Sequence, residues 1–136
     1  MPITFQFDLN HVDWVEMKRT LAADHFDNGR TPEQLEESFR NSQATCIAYS
    51  ERRIIGTARV LSDGVCNAYL VDVWTLSEFR KQGVARQMVD ALLKPLSGQH
   101  VYLQTDDDTL EFYKKLGFHE RPTGMEKLIG QWLRNE

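Results

Sequence analysis

The chain has 136 residues, of which 41% are hydrophobic and 26% charged, and its net charge is −4 at pH 7. This length predicts one domain over residues 1–136 and leaves no room for a second one. The composition excludes a disordered or fibrous chain, and the acidic balance excludes a broad basic surface for nucleic acid or anionic lipid. We therefore expect a globular protein whose partners are neither nucleic acid nor membrane.

The apolar runs and the first residues indicate neither a membrane span nor an export signal. The longest apolar runs, Cys46–Tyr49 and Ala68–Val71, have four residues, whereas a helix needs about 18 to span a bilayer. The N-terminal residues lack the basic and apolar regions of a signal or transit peptide, so we predict a cytoplasmic protein. Cys46 and Cys66 lack the C-x-x-C spacing of a redox or metal motif and are predicted to be reduced and buried.

The first third of the chain predicts a strand followed by two helices. Residues 3–9 alternate between apolar and polar, which is the period of a half-buried strand. Asn10 is a candidate cap for a helix, and Thr-Pro-Glu-Gln at 31–34 is a capping box with proline at the first helical position. The second helix is short and ends near Asn41. The apolar face of the first helix consists of Trp14, Met17 and Leu21.

The middle of the chain predicts an antiparallel meander of three strands. Residues 44–75 are rich in β-formers and are interrupted by a charged turn at 51–53 and an Asp-Gly turn at 63–64. The third of these strands is predicted over 65–75. A helix then starts at Gly83 and stops near Pro95, because proline cannot continue a helix.

The last third predicts a short strand at 100–105, a helix at 106–116 that Gly117 terminates, and one or two strands within 118–132. The predicted order is β-α-α-β-β-β-α-β-α-β(-β). This order defines a mixed α/β fold class.

The junction between the third meander strand and the next helix carries Arg80-Lys81-Gln82-Gly83-Val84-Ala85-Arg86. The first turn of a helix has unpaired N–H groups and the positive end of the helix dipole, so it binds phosphate where side chains leave room. Gly83 and Ala85 leave that room, and Arg80 and Lys81 add cationic donors. The same residues also fit a helix start that only packs on a strand.

A second segment, Phe112-Tyr113-x-x-Leu116-Gly117-Phe118, lies downstream. Together with Arg80-x-x-Gly83-x-Ala85 it resembles the GNAT superfamily of acyl-CoA-dependent N-acetyltransferases, and the likeness in element order covers nearly the whole chain. The resemblance implies a mostly antiparallel twisted sheet flanked by about four helices. It also implies a transferase that uses acetyl-CoA and passes the acetyl group directly to a primary amine.

The resemblance further implies which residues contact acetyl-CoA. Residues 82–86 would hold the pyrophosphate, the strand ending at Thr75 would bind the pantetheine arm, and Tyr113 would lie near the thiol sulfur. Members of the family often have proline where this chain has Ser77, asparagine where it has Asp106, and in some cases a glutamate base where this strand is apolar. The implied cofactor residues are Val73, Trp74, Thr75, Arg80, Lys81, Gln82, Gly83, Val84, Ala85, Arg86, Asp106 and Tyr113.

Acetyl transfer from a thioester requires a neutral amine, a polarised carbonyl and a proton for the departing thiolate. Backbone N–H groups near Trp74 are candidates for the carbonyl. Tyr113 is the candidate acid, although a helical tyrosine beside Phe112 also fits a packing role. Asp72 is the candidate base, because an acid inside an apolar strand is costly unless it is paired or used. A pair with a neighbouring backbone group or with Arg59 is the alternative.

The candidate acceptor residues are His25, Phe26, Arg59, Tyr69 and Asp72, and no residue pattern indicates a metal site. Arg59 also fits an ion pair, and His25 also fits a merely exposed loop position. A small-molecule amine is the predicted acceptor. A protein lysine or N-terminal acceptor and a non-catalytic acetyl-CoA-binding module stay open. Residues 129–133 fit either a homodimer interface or a tail packed on the domain's own core.

Overall fold

The computed structural model describes residues 2–130, which form four α-helices and five strands. Single 3-10 turns precede and follow the third helix and precede the fourth, at Ser77–Phe79, Lys94–Leu96 and Asp107–Thr109. None of these helices is long and apolar enough to cross a membrane. In chain order the elements are β1 Ile3–Gln6, α1 Trp14–Ala23, α2 Pro32–Arg40, β2 Ala44–Ser50, β3 Arg53–Ser62, β4 Asn67–Thr75, α3 Val84–Leu93, β5 His100–Tyr102 and α4 Leu110–Lys115.

The strands form one open sheet in the order β1-β2-β3-β4-β5, with antiparallel pairs except for the parallel pair β4–β5. The predicted fold class is confirmed. The sheet follows the chain order because tight turns join β2 to β3 and β3 to β4, whereas α3 makes the crossover that a parallel pair requires.

Helix starts show where local sequence decides the structure. The predicted capping box is present: Gln34 N donates to Thr31 Oγ1 at 3.1 Å, and Thr31 N donates to Gln34 Oε1 at 3.0 Å. The predicted cap of α1 was wrong, because Asp13 accepts from Glu16 N at 2.9 Å and caps the helix. Asn10 instead lies in a turn, where its N–H donates to Asp8 Oδ1.

The core lies on both faces of the sheet. Helix α3 packs closely because Gly56 has no side chain: a Cβ there would lie 3.1 Å from Met88 Cε and 3.2 Å from Ala48 Cβ. On the other face, the rings of Trp14 and Phe39 lie 5.5 Å apart between α1 and α2. Phe39 and Met88 are fully buried, and each such side chain stabilises the fold by about 1.5–3 kcal/mol.

Strands β4 and β5 separate soon after they pair. Their pairing covers only Asn67–Tyr69 with His100–Tyr102, whereas β4 continues to Thr75. In the described chain, the second half of β4 therefore has no strand partner on its β5 side. Where β4 faces β3 the register shifts between Thr57 and Arg59, and Asp72 has a positive φ of 56°. This bulge changes the direction of the β4 backbone beyond the point where β4 separates from β5.

The end of the described chain differs from the prediction. No strand occurs in residues 118–130, and residues 131–132 lie outside the described part. Pro122 lacks an N–H donor and Gly124 has no side chain to pack, which disfavours a strand here. The predicted strand at 100–105 stops at Tyr102, and the segment predicted as one helix is a 3-10 turn followed by α4.

The two cysteines occupy different environments. Cys46 is buried as predicted, and burial raises the pKa of its thiol to about 12. The prediction that Cys66 is buried was wrong, because it lies exposed in the β3–β4 turn before the strand begins at Asn67. Both thiols are free.

Candidate active site

The N-terminus of α3 has the shape of an anion site. Gly83 precedes the helix with φ +83°, and no side chain caps the first turn. A Cβ added at Gly83 would meet only Gln87 Nε2, at 3.9 Å, so the space in front of the helix is open. The unpaired N–H groups and the helix dipole therefore face room for a phosphate. Val84, the first helical residue, turns its side chain into the core and offers only its backbone.

The cations around this helix start have different partners. Arg80 Nε donates to Thr75 O at 2.8 Å and its Nη2 donates to Asp24 Oδ2 at 3.2 Å, so this guanidinium is tied to the end of β4. Lys81 is exposed, and Arg86 makes only a loose, exposed ion pair with Asp90 at 3.7 Å. Lys81 and Arg86 are thus the cations that remain available to an anion at α3.

Asp24, which the sequence analysis did not single out, anchors the segment before α3. Its carboxylate accepts from Trp74 Nε1 at 2.9 Å and from Ser77 Oγ at 2.6 Å, besides Arg80. Burial alone would raise the pKa of Asp24, but hydrogen bonds from Ser77 and Trp74 and the charge of Arg80 lower it below the ordinary value. Asp24 therefore stays ionised and fixes the end of α1 to the end of β4. Ser77, where the family often has proline, supplies part of this anchor.

The second half of β4 offers a backbone edge rather than side chains. Val73 is half-buried, whereas Trp74 and Thr75 are buried. The hydroxyl of Thr75 has no hydrogen-bond partner in the described residues. Since β5 has already separated from β4, the described chain leaves room here for an extended ligand arm to lie along backbone that has no strand partner on this side.

The helix start and the strand edge together fit coenzyme A. The cofactor needs a cradle for its pyrophosphate and an extended path for its pantetheine arm. Gly83, with its open approach, and the exposed cations would supply the first, and the second half of β4 would supply the second.

Tyr113 on α4 is held by two aromatic neighbours. Its ring lies 4.9 Å from that of Phe112 and 5.8 Å from that of Phe118, both edge to face. The N–H of Phe118 also donates to Tyr113 O at 3.1 Å. Burial, followed by the nearby charge of Asp106, raises the pKa of Tyr113 to about 12. The phenol is therefore protonated at neutral pH, and the packing role and the proton-donor role are compatible.

An open cavity of about 790 Å³ lies between β5, α4 and the segment that follows α4. Ligand sites for small molecules typically measure about 300–1,000 Å³. Tyr69 of β4 and Tyr113 of α4 both line this cavity, as does His119. The structure thus brings two of the predicted site residues, distant in sequence, to one cavity.

Asp72 is bound by two arginines. Arg30 donates from Nη1 to Oδ2 and from Nη2 to Oδ1, each at 3.0 Å, and Arg59 Nε donates to Oδ2 at 2.6 Å. All three side chains are largely buried, with 15%, 11% and 12% exposed for Arg30, Arg59 and Asp72. Arg59 also lies 5.6 Å from the ring centre of Phe39. We call Arg30, Asp72 and Arg59 the arginine–aspartate cluster.

The cluster makes Asp72 a weak proton acceptor. Burial would raise the pKa of Asp72, but hydrogen bonding and charge from Arg30 and then from Arg59 lower it below the ordinary value. The ion pair with Arg59 is the alternative that the sequence left open. Arg30 was not predicted, because nothing in its local sequence marks it as a partner of β4.

The other predicted acceptor residues do not converge on the cavity. His25 and Phe26 are exposed in the connection between α1 and α2, and His25 has a positive φ of 61°. Arg59 is held by Asp72, by Ser38 O at 3.3 Å and by Ser42 Oγ at 3.2 Å. No cluster of potential metal ligands occurs in residues 2–130.

Comparison with known proteins agrees with this geometry. The sequence pattern of the Acetyltransferase (GNAT) family matches residues 11–118. The chain is 33% identical over 82 residues to GCN5-related N-acetyltransferase 2, chloroplastic, of Arabidopsis thaliana, covering 58% of this chain and 32% of that protein. It is 31% identical over 88 residues to Histone acetyltransferase TAP1 of Glycine max, covering 62% and 37%. The chain thus spans about a third of the length of these two relatives.

Solved structures share the fold. A probable acetyltransferase from methicillin-resistant Staphylococcus aureus superposes with a TM-score of 0.81 at 20% identity, covering 96% of this chain and all of the other. At that identity the likeness shows the fold alone. The family pattern, however, covers most of the chain and includes the helix start at α3 and Tyr113. The chain belongs to the GNAT family of acetyltransferases.

Proposed function

We propose that this chain transfers the acetyl group of acetyl-CoA to the primary amine of a small molecule. The observation that carries the proposal is the cavity of about 790 Å³ with Tyr113 in its wall. A cavity of that size receives a small molecule, and Tyr113 stands at the position that the family resemblance assigns to the acid. The proposed domain is the whole of residues 1–136.

The cofactor residues follow from the helix start and the strand edge. When bound, acetyl-CoA supplies the acetyl group as an activated thioester. We assign its pyrophosphate to the backbone of 82–86 with Lys81 and Arg86, and its pantetheine arm to the backbone of 73–75. Arg80 acts through Thr75 and Asp24, which hold that backbone in place. Asp106 stays a predicted cofactor residue on the family resemblance alone, and its charge contributes to the raised pKa of Tyr113.

Within this proposal Tyr113 gives its phenolic proton to the departing sulfur. Phe112 and Phe118 fix the ring, so the hydroxyl needs little reorganisation before it donates. Backbone N–H groups near Trp74, on the free half of β4, polarise the thioester carbonyl.

Asp72 has a positioning role in this proposal. Two guanidinium groups hold its carboxylate. Through Arg30, Asp72 therefore ties the segment between α1 and α2 to the bulge of β4. The predicted role of Asp72 as base requires a free carboxylate, which the cluster does not supply.

A protein acceptor is the second candidate, and one observation favours it. The relative from Glycine max is named a histone acetyltransferase, so lysine side chains belong among the acceptors to be tested. The non-catalytic module, the homodimer and the cytoplasmic location stay predictions. In the segment predicted for the homodimer interface, Ile129 is exposed and residues 131–133 lie outside the described chain. As to location, the Arabidopsis relative is named as chloroplastic.

A turnover screen decides among these functions. The protein is mixed with acetyl-CoA and arylalkylamines, polyamines, amino acids, aminoglycosides or lysine peptides, and the released thiol is measured. We expect turnover with at least one small amine and a higher kcat/KM for it than for any lysine peptide. A preference for peptides supports the protein acceptor. Tight acetyl-CoA binding without any turnover supports the binding module.

A further inference from the structure

We infer that His119 accepts the proton of the acceptor amine during acetyl transfer. The inference rests on the proposed function and names a residue that the sequence analysis left without a role. The arginine–aspartate cluster leaves the reaction without the predicted base, while an amine that attacks a thioester must lose a proton.

His119 lies one residue beyond the contact that fixes Tyr113. Phe118 donates its N–H to Tyr113 O at 3.1 Å and packs its ring on the phenol at 5.8 Å. His119 follows directly and lines the same cavity as Tyr113. His119 and the proposed acid therefore line one cavity.

The carboxylates that line the cavity with His119 are poorer candidates for the base. Glu120 is bound by the ammonium of Lys114 at 3.0 Å. Carboxylates as a class are weaker bases than an imidazole. An imidazole exchanges protons most readily near neutral pH. Besides Tyr113, the titratable side chains around the cavity are Tyr69 on β4, Tyr102 on β5, Lys114 on α4, and Glu120, Arg121 and Glu126 beside His119.

The proton balance of the step is complete. As the C–N bond forms, an imidazole nitrogen of His119 takes one proton from the amine, and the C–S bond breaks. Tyr113 gives its proton to the sulfur. The imidazolium then releases a proton to water and the phenolate takes one from water. The products are one amide and one free thiol.

The test compares His119→Ala with His100→Ala, an exposed histidine on β5 outside the cavity lining. General base catalysis contributes about 10²–10⁴-fold, so we expect a loss of that order in kcat/KM for the amine in His119→Ala only. Acetyl-CoA affinity and melting temperature should match those of the wild type. Imidazole added to the buffer should restore part of the lost rate in His119→Ala and leave the wild type unchanged.

Other outcomes separate the two proposals. Two results would overturn the inference about His119 while the proposed function stands, provided that the wild type turns over an amine. The first is a His119→Ala variant that keeps its kcat/KM. The second is a folded His119→Ala variant with normal acetyl-CoA affinity that added imidazole does not rescue. If the wild type acetylates no amine, the proposed function fails and the inference fails with it. His119→Gln, which cannot accept the proton but retains a polar side chain, should behave as His119→Ala does.

Discussion

Arg30 and Asp72, 42 residues apart, share two hydrogen bonds of 3.0 Å between a guanidinium and a carboxylate. The pair joins the α1–α2 connection to the bulge of β4, and Arg59 adds a third bond to the same carboxylate. Two planar groups joined in this way fix orientation as well as distance. The arrangement makes the position of the β4 bulge depend on a loop residue.

Replacing Asp72 with asparagine should destabilise the fold strongly. The variant leaves two largely buried guanidinium groups without a counter-ion, which costs about 3–5 kcal/mol when one partner of a buried pair is removed. Urea denaturation measures the change. Arg40→Ala is the control, because its ion pair with Glu36 is exposed and such pairs contribute about 0.2–1 kcal/mol. Equal losses of unfolding free energy in the two variants would show that the arginine–aspartate cluster stabilises the fold no more than an exposed ion pair does.

The same carboxylate gives stability a pH dependence. Because the pKa of Asp72 is lower in the folded chain than in the unfolded one, the unfolded chain binds more protons as the pH falls below the ordinary value. Stability from this group is therefore present near neutral pH and is lost as the pH falls through the folded pKa. Denaturation between about pH 5 and about pH 3 should show a steeper decline for the wild type than for Asp72→Asn. Asp24, whose pKa is also lowered, contributes equally to both proteins, so parallel curves would argue against the assignment to Asp72.

Gly83→Glu should abolish acetyl-CoA binding. The new carboxylate would occupy the open space before α3 and repel the pyrophosphate, and Gly83 has the positive φ that side chains rarely adopt. Gly98→Glu is the matched control, because Gly98 has φ +85° with equally open surroundings but precedes β5. Calorimetric titration should show no heat of binding for Gly83→Glu and normal affinity for Gly98→Glu. Normal affinity in both variants would remove the cofactor site from α3.

Tyr113→Phe should lower kcat by about 10²–10⁴-fold, the usual contribution of a general acid, with little change in acetyl-CoA affinity. The phenyl ring retains the packing against Phe112 and Phe118, so the fold should hold. Tyr102→Phe, which alters another cavity tyrosine, is the control and should keep its kcat. Steady-state kinetics with a saturating amine measures both variants. An active Tyr113→Phe would leave Tyr113 with the packing role alone.

Local sequence was sufficient where a structure depends on neighbouring residues. Thr31 and Gln34 form their capping box within four residues, and Gly83 begins α3 because of its own conformational freedom. The family resemblance added Tyr113, whose surroundings are also local.

Contacts between distant segments could not be predicted. Arg30 and Asp24 reach β4 and the segment after it only when the chain has folded, and no periodicity or motif marks either residue. The prediction of strands within 118–130 was wrong for a related reason. A strand needs a partner, and these residues form no pairing with β5, the outer strand of the described sheet. The cavity between β5 and this segment is therefore a property of tertiary structure that the sequence did not show.

The proposed acetyl transfer requires that the start of α3 and the cavity beside Tyr113 form one active site. A crystal structure of the protein with coenzyme A and an amine identified by the turnover screen tests it most directly. We expect the pyrophosphate on the backbone of 82–86, the pantetheine arm along the free half of β4, and the amine in the cavity beside Tyr113. A complex in which the amine binds elsewhere, or in which coenzyme A leaves the start of α3 empty, would contradict the claim.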